Sequence, residues 1–173
     1  MKRKYRIALC SAFVLLAGAL FQGQQTLSPE HVKLRLEGSS IYFSEGGRSH
    51  EVSVAGQFDA VRMDSAKLLS AKQAGSFVYL LLNVTGPSKL PRDKGQCGDT
   101  NESNLIWLKL DAAWQLKEGV SFLYSSCLFP ITMVSEPKSE GDTITVSTNS
   151  QVATYDNAHP EAGLKIVSSP AAK

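Results

Sequence analysis

Cys97 sits in the stretch GQCGDTNESNLIWLKLD, residues 95–111, where a thiol is set in a polar, glycine-flanked segment with Asp93, Asp99, Asn101 and Glu102 close by. Three chemistries suit such a group. A thiol near a base is a nucleophile. Carboxylate and amide oxygens close together hold calcium. A thiol with one partner forms a disulfide. The calcium pattern is incomplete: DTNESN, residues 99–104, has no glycine at its sixth position and no distal glutamate, so it departs from the EF-hand loop. Whether loop 93–104 binds calcium is left open by the sequence. No histidine lies near Cys97 in sequence to serve as a base.

The second candidate is TYDNAHPEAGLKI, residues 154–166. Asp156, His159 and Glu161 lie close enough there to form an acid–base set. Asp-Asn and a proline-to-glycine run are also ordinary turn-formers, and that reading is favoured. His50-Glu51 begins like a zinc motif, but Val54 stands where the second histidine is needed. There is no CxxC pair, nucleophile elbow or phosphate-binding glycine loop. No catalytic residue, cofactor or metal ligand is therefore assigned. Asn83-Val84-Thr85 and Asn101-Glu102-Ser103 match the glycosylation pattern. Trp107, Trp114, Phe122 and Tyr124 read as core aromatics before they read as a carbohydrate platform.

The amino end sets the redox context. Lys2, Arg3, Lys4 and Arg6 precede an uncharged apolar run, Ile7 to Phe21. At about 15 residues it suits a signal peptide and is short for a spanning helix. Residues 1–23 are expected to be a signal peptide cut between Ala19 and Gln24, which makes the protein secreted or periplasmic with no stable membrane span after cleavage. Removal takes Cys10 with it and pairs Cys97 with Cys127 by elimination in an oxidising compartment. A disulfide closing that loop is worth roughly 3–4 kcal/mol in the chain-entropy account. The segment removed carries four bases and no acids, leaving 14 bases, 16 acids and a formal charge of −2. A mildly acidic domain without a basic run argues against nucleic acid as partner.

The elements that hold these residues read as strands. Val32, Leu34 and Leu36 alternate with Lys33, Arg35 and Glu37. Glu45-Gly46-Gly47-Arg48 marks a hairpin between Ile41–Phe43 and Glu51–Val54. Phe77–Val84 is apolar on both faces and is expected to be a central strand. Leu105–Leu110, Trp114–Lys117, Val120–Ser125, Thr143–Ser147, Val152–Tyr155 and Leu164–Val167 follow. Lys117-Glu118-Gly119 and Ser139 to Asp142 are expected to be turns. Residues 57–74 are expected to hold two strands, with one short helix as the alternative. The fold class is thus all-β: an antiparallel β-sandwich, or a barrel-like domain, over residues 24–173, stapled by Cys97–Cys127 and loose at 24–30 and 168–173.

The loop 86–103 is long for a compact domain and is where binding is expected. The sequence points to an exported, non-enzymatic binding or accessory module for an unknown protein or envelope component. The alternative is a secreted hydrolase or metal-dependent enzyme using Asp156, His159 and Glu161.

Overall fold

A computed structural model describes residues 32–58, 60, 62–88 and 101–169. The expected signal peptide, Cys97, the loose end at 24–30 and residues 170–173 of the loose end expected at 168–173 lie outside the described residues, whereas Ser168 closes a strand.

The described chain is all-β, in three antiparallel sheets. The first sheet holds β1 (Lys33–Glu37), β2 (Ser40–Glu45) and β3 (Arg48–Ser53), in that order. The central sheet is β4 (Ser65–Ala74), β5 (Phe77–Pro87), β6 (Asn101–Leu110) and β7 (Leu116–Ser125). The last sheet runs β11 (Lys165–Ser168), β10 (Gln151–Asp156), β9 (Thr143–Thr148) and β8 (Met133–Glu140).

The central sheet explains the doubly apolar run in the sequence. Successive strand residues point to opposite faces. Val78, Leu80, Leu82 and Val84 of β5, with Ile106, Leu108 and Leu110 of β6, pack against Ile41, Phe43 and Val52 of the first sheet and Val54 just after it. Tyr79, Leu81, Leu105 and Trp107 point the other way, with Phe122 and Tyr124 of β7. They meet Ile144, Val146, Ala153 and Tyr155 of the last sheet. The architecture is therefore a three-layer stack with two cores, where a two-layer sandwich has one. The four aromatics at 107, 114, 122 and 124 are all core residues.

Three expectations are corrected. Residues 65–74 form one strand rather than two strands or a helix, because Gly75 (φ 60°) turns the chain only after Ala74. A bulge between Leu68 and Ser70 breaks its periodicity and directs both Leu69 and Ser70 toward the last sheet. Lys117-Glu118-Gly119 is strand interior, not a turn. Gly119 lies against the Gln57 side chain, whose amide end a Cβ there would have to displace. Finally, β8 was not expected at all. Its sequence MVSEPKSE is polar, largely exposed, and carries Pro137, which an edge strand tolerates.

Candidate functional site

The β5–β6 end of the central sheet holds the best-developed candidate. Both strands run further than the sequence suggests, since Gly86 pairs with Glu102 and Pro87 with Asn101. Residues 86–87 and 101–103 of the expected loop are thus strand, and residues 89–100, with Asp93, Cys97 and Asp99, lie outside the described residues. Gly86 is required by packing: a Cβ there would sit 1.9 Å from the Arg62 carbonyl oxygen. The segment before β4 is clamped onto this end of the sheet.

Glu102, weighed as a calcium-ligand candidate in a polar loop, is instead 2% exposed. Its Oε1 accepts a bond from the Cys127 N–H at 3.4 Å and lies 3.5 Å from Cys127 Sγ. The carboxylate thus tethers the segment leaving β7 to the start of β6. Ser126 Oγ accepts from the N–H groups of Leu128 and Phe129 at 3.0 and 3.1 Å. On the far side, the β9–β10 turn braces the same segment. Asn149 donates its N–H to the Thr132 carbonyl at 2.9 Å, and Asn149 Oδ1 accepts from the Thr132 N–H at 3.3 Å. Held from both ends, residues 126–132 present Phe129 at 50% exposure, and the next two residues, Met133 and Val134, are exposed apolar side chains too, Val134 at 68%. Sequence reasoning missed these exposed apolar residues. The signal was LFPITMV, a run too apolar for an ordinary exposed connection.

The Asp156, His159 and Glu161 group is brought close but is employed in a turn. Asp156 Oδ1 accepts from the Ala158 N–H at 2.8 Å, and its carbonyl accepts from the His159 N–H. His159 and Glu161 stand out in solvent, with Nδ1 and Oε1 3.6 Å apart. Pro160–Ala162 forms a short 3-10 turn whose Pro160 carbonyl accepts from Trp107 Nε1 at 3.2 Å. Beneath it, Ser70 donates to Asn157 Oδ1 at 2.5 Å and lies 3.4 Å from the Tyr155 hydroxyl. Burial pushes the Tyr155 phenol above its usual range, tempered by the Ser70 bond. This is a polar latch between the central and last sheets.

Among the described residues, no cluster of three or more His, Cys, Asp or Glu side chains is placed to hold a metal. No helix among them is long and apolar enough to cross a membrane. Asn83 of the first glycosylation triplet accepts a bond from the Tyr124 hydroxyl at 2.7 Å; Asn101 of the second is exposed.

Trp114, expected in a strand, instead occupies the β6–β7 turn with φ 61°, the only non-glycine residue at positive φ among the described residues. Asp111 builds the turn. Its Oδ1 accepts from the N–H groups of Ala113 and Gln115, both at 2.9 Å, and Oδ2 lies 2.7 Å from Lys117 Nζ. The Lys117 ammonium, then the backbone N–H of Gln115, holds the Asp111 carboxyl below its usual range. The turn drives the indole inward, stacked on His50 at 4.4 Å and 5° and beside Phe43 at 5.6 Å.

No family model matches the chain, and no curated protein and no solved structure matches it.

Proposed function

We propose that this protein is an exported, non-enzymatic binding module that engages a protein or envelope component through the β5–β6 end of its central sheet. The reading rests on one observation: residues 126–132 are fixed at both ends by Glu102 and Asn149, yet present Phe129 half exposed. An aromatic held ready in a rigid loop costs little ordering free energy on binding and makes a natural anchor for a partner's pocket.

The Cys97–Cys127 staple belongs to the same reading. It is supported by the export expected from the amino end, which would leave Cys97 and Cys127 together in an oxidising compartment. The pairing would tie the residues between β5 and β6 to the Phe129 loop. The alternative, a secreted hydrolase or metal-dependent enzyme using Asp156, His159 and Glu161, has less support, since the Asp156 carboxylate caps its own turn and the other two side chains sit in open solvent.

The test places a photo-crosslinking amino acid at position 129 and, as a control, at exposed Lys138, with the full-length chain expressed in its own host. One discrete adduct from 129, absent from 138 and suppressed by Val134→Asp, is the expected result. No adduct from 129, or the same adducts from both positions, would overturn the proposal.

A further inference from the structure

Among the described residues, the first sheet ends at β3, which pairs only with β2. In an antiparallel pair, residues alternate between those bonded to the partner and those whose N–H and C=O point away. Gly46 and Gly47, at φ 55° and 80°, make the two-residue turn that joins β2 to β3. Glu45 and Arg48 close that turn, so Arg48, His50 and Val52 bond to β2. Ser49, Glu51 and Ser53 therefore aim their backbone donors and acceptors outward. No described residue supplies a hydrogen bond to them.

These outward residues line one wall of an open groove of about 480 Å³; Ala113, Trp114 and Gln115 form the other, and His50 lies between. At the other edge of this sheet, the five-residue β1 packs beside β4, and the edges of the other two sheets are blunted. The outer strand β8 has Pro137 and two register breaks; β4 and β7 carry bulges, and β11 has four residues. By contrast, β3 is a regular six-residue strand with neither proline nor bulge, facing a walled channel. Proteins usually protect such an edge. Here the Asp111-built turn holds Trp114 in a left-handed conformation beside it, a conformation that costs about 1–2 kcal/mol for a residue other than glycine.

We infer that the β3 edge is a strand-addition site, filled by an extended segment of a partner protein with alternating basic and apolar side chains. The backbone of that segment completes the ladder with Ser49, Glu51 and Ser53. The alternation follows from what each face offers. On the solvent face a cross-strand row runs Arg35, Tyr42, Glu51. The Arg35 guanidinium lies 3.9 Å over the Tyr42 ring, and the row ends at the open edge on the Glu51 carboxylate. The next position, on the added strand, is complementary to a cation. On the inner face the neighbouring positions meet His50, Trp114 and Val52, which favour an apolar side chain. This site is separate from the Phe129 loop and stands or falls without it.

The probe is a fluorescent six-residue peptide of alternating lysine and valine, read by anisotropy against the mature chain. Saturable binding is expected, with an alternating glutamate–valine peptide about tenfold weaker and the order reversed in Glu51→Lys. N-methylating alternate amides of the peptide separates strand addition from charge attraction: one set faces β3 and its methylation abolishes binding, while the other set is silent. Equal loss from both sets, no binding of either peptide, or no reversal in Glu51→Lys would overturn the proposal. A concentration-dependent dimer that excludes the peptide would overturn it too, making a second copy the occupant.

Discussion

The stacked architecture makes its sharpest prediction at two adjacent leucines. Leu80 and Leu81 are both fully buried (0% exposed), but they belong to different cores. In a two-layer sandwich one of any two successive residues on a strand faces solvent, and its truncation costs little. In a three-layer stack both are costly. Each Leu→Ala change removes buried apolar volume from a site walled by β-sheet on both sides, where collapse is limited, so a loss of about 3 kcal/mol is expected for each. With a urea dependence of about 2 kcal/mol per molar, the midpoint for Leu80→Ala and for Leu81→Ala falls by about 1.5 M apiece. Val167→Ala, on an exposed edge, is the control and moves the midpoint by less than about 0.3 M. The assay is urea unfolding of the chain followed by tryptophan fluorescence, since Trp114 reports on the first core and Trp107 on the second. A loss below about 1 kcal/mol for either leucine would refute the claim that both faces of the central sheet are covered. Separate transitions for the two tryptophans in the parent protein would instead mean that the cores unfold independently.

Other consequences follow from single contacts. Gly86→Ala forces a methyl against the Arg62 carbonyl and is expected to cost about 1–3 kcal/mol in urea unfolding, although alanine is the better residue in a strand on entropy grounds. The Asp111 carboxyl is held below its usual value, so its contribution is present above the unfolded value near 3.8 and is lost as pH falls through the lower folded value. Acid unfolding of Asp111→Asn should therefore begin from lower stability at neutral pH and show a shallower decline in that window. The Tyr155 phenol is shifted the other way by burial, so its contribution is complete below 10.0 and is lost as pH rises through the higher folded value. Tyr155→Phe, followed by circular dichroism, should unfold at higher alkaline pH than the parent.

Much of this fold was legible because its strands obey a period of two. Leu34 and Leu36, the Gly46-Gly47 hairpin, and the doubly apolar run from Phe77 each gave both an element and its placement. The sheet count was not legible. A run apolar on both faces says that two layers cover it, but not whether they are helices or sheets. The misplaced elements share a cause, which is that tertiary contacts overrode local signals. Gly119 reads as a turn residue until Gln57 is placed over it, and Trp114 reads as a strand residue until Asp111 is seen to gather two backbone donors around it. Within the candidate site, Glu102 was found but misread. Its neighbours in sequence are polar, and only the fold turns its side chain inward toward Cys127.

The two outer sheets differ in what they leave open, and the difference bears on the two binding proposals. Stability comes from the central sheet, whose residues fill both cores, so neither outer sheet needs its free edge for support. In the last sheet the β8 edge is spoiled for pairing by Pro137 and by breaks at Ser135 and Lys138, while the apolar residues Phe129, Met133 and Val134 lead into it. A partner there meets side chains rather than backbone. In the first sheet the reverse holds: β3 offers an intact row of backbone groups and few apolar side chains. On the two proposals above, the chain would carry two contact surfaces of opposite character on opposite layers, one read by shape and one by hydrogen bonding. A module engaging two partners at once, or two segments of one partner, is served by that arrangement. Its signature would be independent binding at the two surfaces: Val134→Asp should leave peptide affinity at the β3 edge unchanged, and Glu51→Lys should leave the adduct from position 129 unchanged.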